Sequence, residues 1–362
     1  MTADGPHTHA QDPAIAAEVS RATSAEAALA ARIAKLEAGT TVPPVTPPSG
    51  TAPSWWVAPV TSRTVQIPAS IDATGTTDVT AALLAFNASV PDGSIITGAP
   101  TAIYKFGGNI IPNSRNNLIF DMQGGTWNNI ANPLGTSGWT PYADSAIFWT
   151  YGVKPYPTHL TFRNIVLKAA NPTPGKLQAG AGEYAAFLHS MGGQYLEVTN
   201  VTASGLFGDL ITLNENSQFV WSHGNHMIDC GRNSVSVVAG SHIVIEDSAH
   251  DVAGYCSFDI EPESGSIAGS ANIVYRRNTH KTWGNCFFAM DGSNSGKLIT
   301  DVTVDSNTVS GSSLLSVIGN TGSQAQRIAF TNNAGKGTAN VTVKNVSGLV
   351  FKGNTGATLV QS

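Results

Sequence analysis

The sequence predicts an all-β fold, a right-handed parallel β-helix solenoid, carried behind an N-terminal α-helical coiled coil. Three observations predict it. A short apolar-x-apolar motif returns nine times, its later copies are spaced 21–30 residues apart, and a heptad pattern free of Pro and Gly stands near the N-terminus. Repeats of 20–30 residues built from short strands and Gly/Asn turns are the mark of a solenoid, in which each unit buries its apolar face only by stacking on the next.

The repeat runs polar residue, apolar-x-apolar, then often an Asn-containing turn. It occurs as NLIFDMQ (117–123), HLTFRN (159–164), YLEVTN (195–200), QFVWSHGN (218–225), HIVIEDS (242–248), NIVYRRN (272–278), DVTVDSN (301–307), RIAFTNN (327–333) and GLVFKGN (348–354). A second strand is predicted inside each unit at 209–214, 233–238, 256–261, 286–291 and 313–318. The period is close to that of leucine-rich repeats, but their L-x-x-L-x-L-x-x-N core is absent. Alternate side chains of a stacked strand fill the interior, and Asn tolerates the left-handed backbone that a tight corner requires.

Composition agrees. Charged residues make up 12% of the 362, and Gly supplies 37 of them, which suits a β protein rich in turns better than a helical bundle. A net charge of −5 gives no footprint for nucleic acid or an anionic membrane surface. There is no apolar run of about 18 residues, so no membrane insertion is expected. The first residues, MTADGPHTHAQD, lack the basic-then-apolar pattern of a signal peptide. Three cysteines, Cys230, Cys256 and Cys286, are too few for a disulfide framework and are expected as free, buried thiols.

The N-terminal region divides by composition. Residues 1–13 read as a flexible arm and 14–38 as the coiled-coil stalk. Ile15, Ala22, Leu29 and Leu36 recur every seven residues, with Val19, Glu26 and Ile33 four residues after the first three, an a/d seam broken only at Glu26. The stretch Arg21–Glu26 also resembles the Arg-apolar-x-x-apolar-Glu pattern of trimeric coiled coils, in a competing register. About three heptads are marginal alone, so the rest of the chain is expected to help hold a homotrimer. Residues 39–53, rich in Pro and Thr, read as an extended linker. A lead-in segment with a capping helix (54–116, the helix at about 78–89) then precedes the β-helix proper at 117–362.

The lead-in carries a resemblance. Gly75, Asp78-Val-Thr-Ala-Ala-Leu83, Pro91-Asp-Gly-Ser94, Tyr104-Lys-Phe106 and Asn117-Leu-Ile-Phe-Asp-Met-Gln-Gly-Gly-Thr-Trp127 resemble the start of pectate-lyase-like, tailspike-type β-helix proteins. In that family a short helix caps the open end of the solenoid. The usual Pro-x-Gly-x-Tyr piece is replaced here by Gly98-Ala-Pro-Thr-Ala-Ile-Tyr104. The run Phe258-Asp-Ile-Glu-Pro-Glu263 is similar to a segment common in the same family. The resemblance covers roughly 65–362 and implies the fold; the fold hosts lyases, hydrolases, epimerases and inert fibres alike. Joined to a stalk and a Pro linker, it implies a phage tail-fibre or tailspike protein. Such a protein would be made in the host cytoplasm and held in the virion, docked on other tail proteins through its N-terminal region. It would bind a host-surface polysaccharide. A depolymerase on the same scaffold is the alternative, and a bacterial polysaccharide lyase or epimerase a further one.

Aligning the second strands places Ile211/Leu213, Val235/Val237, Phe258/Ile260, Phe288/Met290 and Leu315/Val317 inward. Outward columns then read Thr212, Ser236, Asp259, Ala289, Ser316 and Asn214, Val238, Glu261, Asp291, Ile318. Asp259, Glu261 and Asp291 thus converge, and three carboxylates within about 5–7 Å should raise at least one pKa, as glycosidase acid/base chemistry requires. They are the candidate catalytic residues; a solvated polar face or a Ca²⁺ site is the competing reading. Because Val238 and Ile318 interrupt the column on either side, binding without cleavage is the expected balance. Trp139, Tyr142, Trp149 and Tyr151 sit in a 42-residue excursion between repeats and are the candidate carbohydrate-binding residues, since aromatic faces stack on sugar rings. His226, His250 and His280, each five residues past a first-strand residue expected to point inward (Trp221, Ile245 and Tyr275), align as one column, read as a buried core ladder rather than a metal site. No metal or cofactor is expected. Glu246 with Arg276 and Asp251 with Lys281 align as ion pairs between rungs, too sparse a set of cations for uronate lyase chemistry.

Overall fold

The computed structural model describes residues 51–112, 114–133, 146–149, 154–178, 180–263, 266, 268–290, 296–319 and 324–361. The chain divides into Met1–Thr51 and Ala52–Ser362, and the second unit is the one described. The arm, the coiled coil and all but the end of the linker lie outside the described residues, as do Trp139, Tyr142, Tyr151 and Asp291.

The described strands, from Arg63–Gln66 to Thr355–Gln361, form a parallel β-helix. All strand pairings join successive rungs in parallel, as in Ser217–His223 on Gly240–Glu246, then on Ser270–Arg276, then on Leu298–Asp305. Each coil has three faces. The first and third carry the two strand families read from the sequence. Between them lies a second face not foreseen: His226–Cys230, Ala249–Ala253, Thr279–Trp283 and Thr308–Val309. In the earlier coils Thr158–Ala169 and Gln194–Ser204 run unbroken from first face to second, turning at Asn164 and Asn200 with φ of 57° and 52°.

The asparagines of the repeat do two jobs. The left-handed corner residue is Asn164 or Asn200 in early coils and Asp247, Arg277, Ser306 and Asn332 in later ones. The residue after it is a ladder rung. The side-chain oxygens of Asn278, Asn307, Asn333 and Asn354 accept backbone N–H groups from Ser248, Asn278, Asn307 and Asn333 at 2.9–3.1 Å. Their amides donate to the carbonyls of Ile245, Tyr275, Val304 and Phe330. The corner thus satisfies the backbone groups that the turn removes from the sheets.

A helix, Thr80–Ser89, follows the second strand; it starts where Asp78 accepts the Thr80 backbone N–H at 2.9 Å, and its Leu83 is buried in the core. Inside the solenoid, aromatic rings stack from rung to rung: Phe120 on Phe162 and Phe258 on Tyr275 and Phe288. Trp127, one of the aromatics near the long excursion, belongs to this core.

Four expectations need correction. Leu315 and Val317 are 41% and 37% exposed, whereas Ser316 and Ile318 are fully buried, because Phe288 pairs with Ser316 and Met290 with Ile318. The apolar run there admits either phase, and the strand took the one-residue slip that exchanges faces. Ile318→Ala should therefore lower stability by about 2–5 kcal/mol and Val317→Ala by less than about 1 kcal/mol; urea unfolding that ranked them the other way would restore the original register. Trp221 is not inward: it pairs with Val244, while Val220 and Ser222 face the core opposite Ile243 and Ile245. The three-histidine column also fails. His250 and His280 stack in the core with ring centroids 5.1 Å apart, but His226 lies opposite Ala249 and holds Asp251 at 3.0 Å. Finally, Cys256 and Cys286 face each other on adjacent rungs, Cα atoms 4.8 Å apart, and are joined as a disulfide, leaving Cys230 as the buried free thiol.

Both proposed ion pairs form. Arg276 meets Glu246 at 2.7 Å and Lys281 meets Asp251 at 2.9 Å. The first pair extends into a network, since Glu246 is fully buried and also accepts from Arg277 and the Trp221 indole.

Candidate functional site

A cleft of about 220 Å³ opens on the outer side of the third face. Its floor is the outward column of that face. Strand pairing sets His189, Thr212, Ser236 and Asp259 side by side on successive rungs, with Trp149 in register beyond His189. Alternation along each strand turns their neighbours Ile211, Leu213, Val235, Val237, Phe258 and Ile260 into the core, which fixes the floor rigidly.

One wall comes from turns that lead into the third face. The 3₁₀ turn Gly180–Tyr184 supplies Glu183 and Tyr184, and the residues just before two third-face strands supply Asp209 and Arg232. The opposite wall comes from the turns that leave it, with Glu215, Glu261, Glu263 and Ser266. Of the sequence candidates, Asp259 and Glu261 therefore meet in one cleft. Asp291 is outside the described residues, and for Trp149 only the backbone position is described. Tyr156, also in the aromatic stretch, reaches the cleft rim: its hydroxyl donates to Glu215 at 2.7 Å, which pushes its pKa up to about 12.

Asp209, 1% exposed, is held from both sides. One oxygen accepts the Asn233 backbone N–H at 2.7 Å, the other the hydroxyls of Ser236 and Thr212 at 2.7 and 2.9 Å. Asn233 also donates to Ser236 at 2.8 Å and to Asp259, 4% exposed, at 3.4 Å. Arg232 binds Glu183 through Nη1. Burial works against the arginine's charge, but Asp209, Glu183, Asp259 and Glu261 outweigh it and hold the guanidinium pKa above its usual value. Burial raises the Glu183 carboxyl above the ordinary glutamate range; Arg232 opposes this, and Asp209 and Glu263 reinforce it. Burial also depresses His189 to about 3, so its ring is neutral under Tyr184, whose ring stacks on it at 5.8 Å.

The cleft thus sets a carboxyl inclined to keep its proton, Glu183, in one pocket with the buried carboxyl of Asp259. Paired carboxyls with separated proton affinities are what general acid/base cleavage of a glycosidic bond needs. Sequence reasoning missed Glu183, Asp209 and Arg232. They lie on turns, where strand alternation says nothing. The available signal was positional: Asp209 and Arg232 each stand two or three residues before a third-face strand.

No family model matches the chain. No curated protein matches it in sequence. Among solved structures, the chain is similar to a mutant tailspike protein of E. coli bacteriophage HK620, solved in complex with a pentasaccharide. The TM-score is 0.54 and the identity 12%, over 82% of this chain and 59% of the tailspike. It is similar also to a polygalacturonase from Erwinia carotovora ssp. carotovora, with a TM-score of 0.53 and 11% identity over 86% of this chain and 98% of the enzyme. The fold is thus the tailspike-like, pectate-lyase-like right-handed β-helix. This chain spans little more than half the length of the tailspike it matches.

Proposed function

We propose that the chain is a phage tailspike-type protein that binds a host-surface polysaccharide and cleaves it by glycoside hydrolysis in the third-face cleft. The observation that carries the reading is the cleft itself, which joins Glu183, with its raised pKa, to Asp259, Glu261 and Arg232. It tilts the balance from binding alone towards cleavage, because carboxyls from the turns replace the interrupted column. Glu183 is assigned the role of acid. Asp259 and Glu261 share that of base or nucleophile, and Asp291 remains a further candidate. Arg232 and Asp209 position the others. Trp139, Tyr142, Trp149 and Tyr151 are assigned to stacking on sugar rings.

The test is incubation of the full chain with host-surface polysaccharide, reading retention and reducing-end release together. Both should appear. Retention without release would return the reading to a binding fibre, and Trp139→Ala and Trp149→Ala should then weaken retention more than any amide substitution in the cleft. Absence of both would end it.

The heptad seam supports a homotrimer, with docking to other virion tail proteins through the N-terminal region. Light scattering of the intact chain should give three times the chain mass at micromolar concentration; a monomer mass would end this part of the proposal.

A further inference from the structure

The charge of the cleft narrows its substrate. Among the described residues, six carboxyl groups line it, those of Glu183, Asp209, Glu215, Asp259, Glu261 and Glu263, and the only cationic side chain is Arg232. That guanidinium is already engaged. It donates a hydrogen bond to Glu183, only 18% of its side chain is exposed, and the carboxylates of Asp209, Asp259 and Glu261 compensate its charge. It has no charge to spare for a carboxylate, phosphate or sulfate on a ligand. The remaining polar groups, Thr212, Ser236, Asn214 and Ser266, suit hydroxyl and amide partners. An anionic ligand in a half-enclosed groove of this kind meets like charge on both walls, where screening is weaker than on an open surface.

We propose that the cleft takes a neutral glycan, its units carrying hydroxyl and acetamido groups, and rejects uronate, sialylated, phosphorylated or sulfated chains. This rests on the reading of the cleft as a glycan site. It runs against what likeness to a polygalacturonase would suggest, because that enzyme's name announces a polyuronate.

The experiment uses the full chain on an array of neutral and acidic glycans that includes matched pairs with and without an acidic sugar. Members retained should be neutral, and within each matched pair the neutral form should be held at least about 10-fold more tightly at low salt. The gap should shrink as salt rises to about 0.5 M, since screening weakens repulsion at the groove mouth. Charge reversal at the exposed rim, Glu263→Lys, should narrow the same gap. Preferential or equal retention of acidic members would overturn the inference and leave the glycan reading standing. Retention of no glycan at all would overturn that reading, and this inference with it.

Discussion

Replacing Glu183 by Gln or Asp259 by Asn should reduce reducing-end release by about 10²-fold or more while leaving retention of the polysaccharide close to that of the parent chain. An amide keeps the shape and hydrogen-bonding reach of the carboxyl but has no proton to exchange with the glycosidic oxygen or with water. The two substitutions also differ in their pH signature. With Glu183 as acid, the parent's rate falls on the alkaline side as that carboxyl, raised by burial, loses its proton. Glu183→Gln should abolish that limb together with most of the rate. Asp259→Asn should lower the rate without moving the limb. Glu261→Gln distinguishes base from bystander: a loss matching Asp259→Asn places both on the reacting bond, and a rate near the parent's makes Glu261 a wall residue. If the parent cleaves and all of these variants cleave equally well, the chemistry lies outside this cleft, and Asp291→Asn becomes the next substitution to examine.

How far this cleft was readable in advance follows from where its residues sit. Third-face strands alternate cleanly through Ile211–Thr212–Leu213 and Phe258–Asp259–Ile260, so the period of two put Asp259 outward without ambiguity. It failed at Leu314–Ile318, where five residues hold four apolar ones and side-chain size cannot choose the phase. It failed again at Trp221, whose bulk suggested the core although it covers the outside, its ring stacked on His223 at 3.8 Å and its indole donating to Glu246. A better anchor was present. Asn225 takes the same place one coil earlier, accepting the Val201 N–H at 2.9 Å and donating to the Val198 carbonyl; counting three residues back from Asn225, Ser248, Asn278, Asn307 and Asn333 gives Ser222, Ile245, Tyr275, Val304 and Phe330. All five are buried. The same anchor sets His226 one residue past its ladder position but His250 and His280 two past theirs, which separates the outward histidine from the inward pair. Glu183 and Arg232 had no such anchor. Turn lengths differ from coil to coil, so neither period nor register links the two residues before folding brings them together.

Acidification should destabilise the β-helix well before Glu246 and Asp251 titrate, and the cause is three buried histidines. Burial drives His189 and His250 down to about 3 and His280 well below its ordinary value near 6.5. The folded state therefore declines protons that the unfolded chain accepts once the pH falls below about 6.5. Because the unfolded state binds more protons across this window, stability falls as pH falls, by about 1.4 kcal/mol per pH unit for each histidine at the limiting slope. His189 and His250 acting from about pH 6.5 to about pH 4.5 amount to roughly 5 kcal/mol, and His280 adds in the same direction, a sum comparable with the whole stability of many domains. Glu246 and Asp251 act lower on the scale. Burial opposes their charge, but Arg276 and the Trp221 indole for Glu246, and His226 and Lys281 for Asp251, hold both below the usual carboxylate values. Their stabilisation is present above the unfolded carboxylate pKa and is lost only as pH falls through these lower folded values. Melting temperature should thus drop steeply between pH 7 and pH 5. His250→Met and His280→Met, which place at the inward positions the kind of side chain that Met227 and Val309 already supply there, should each remove about a third of the slope. A melting temperature flat from pH 7 to pH 5 would mean that these rings take up protons in the folded state, and so that water or a counter-charge reaches the core.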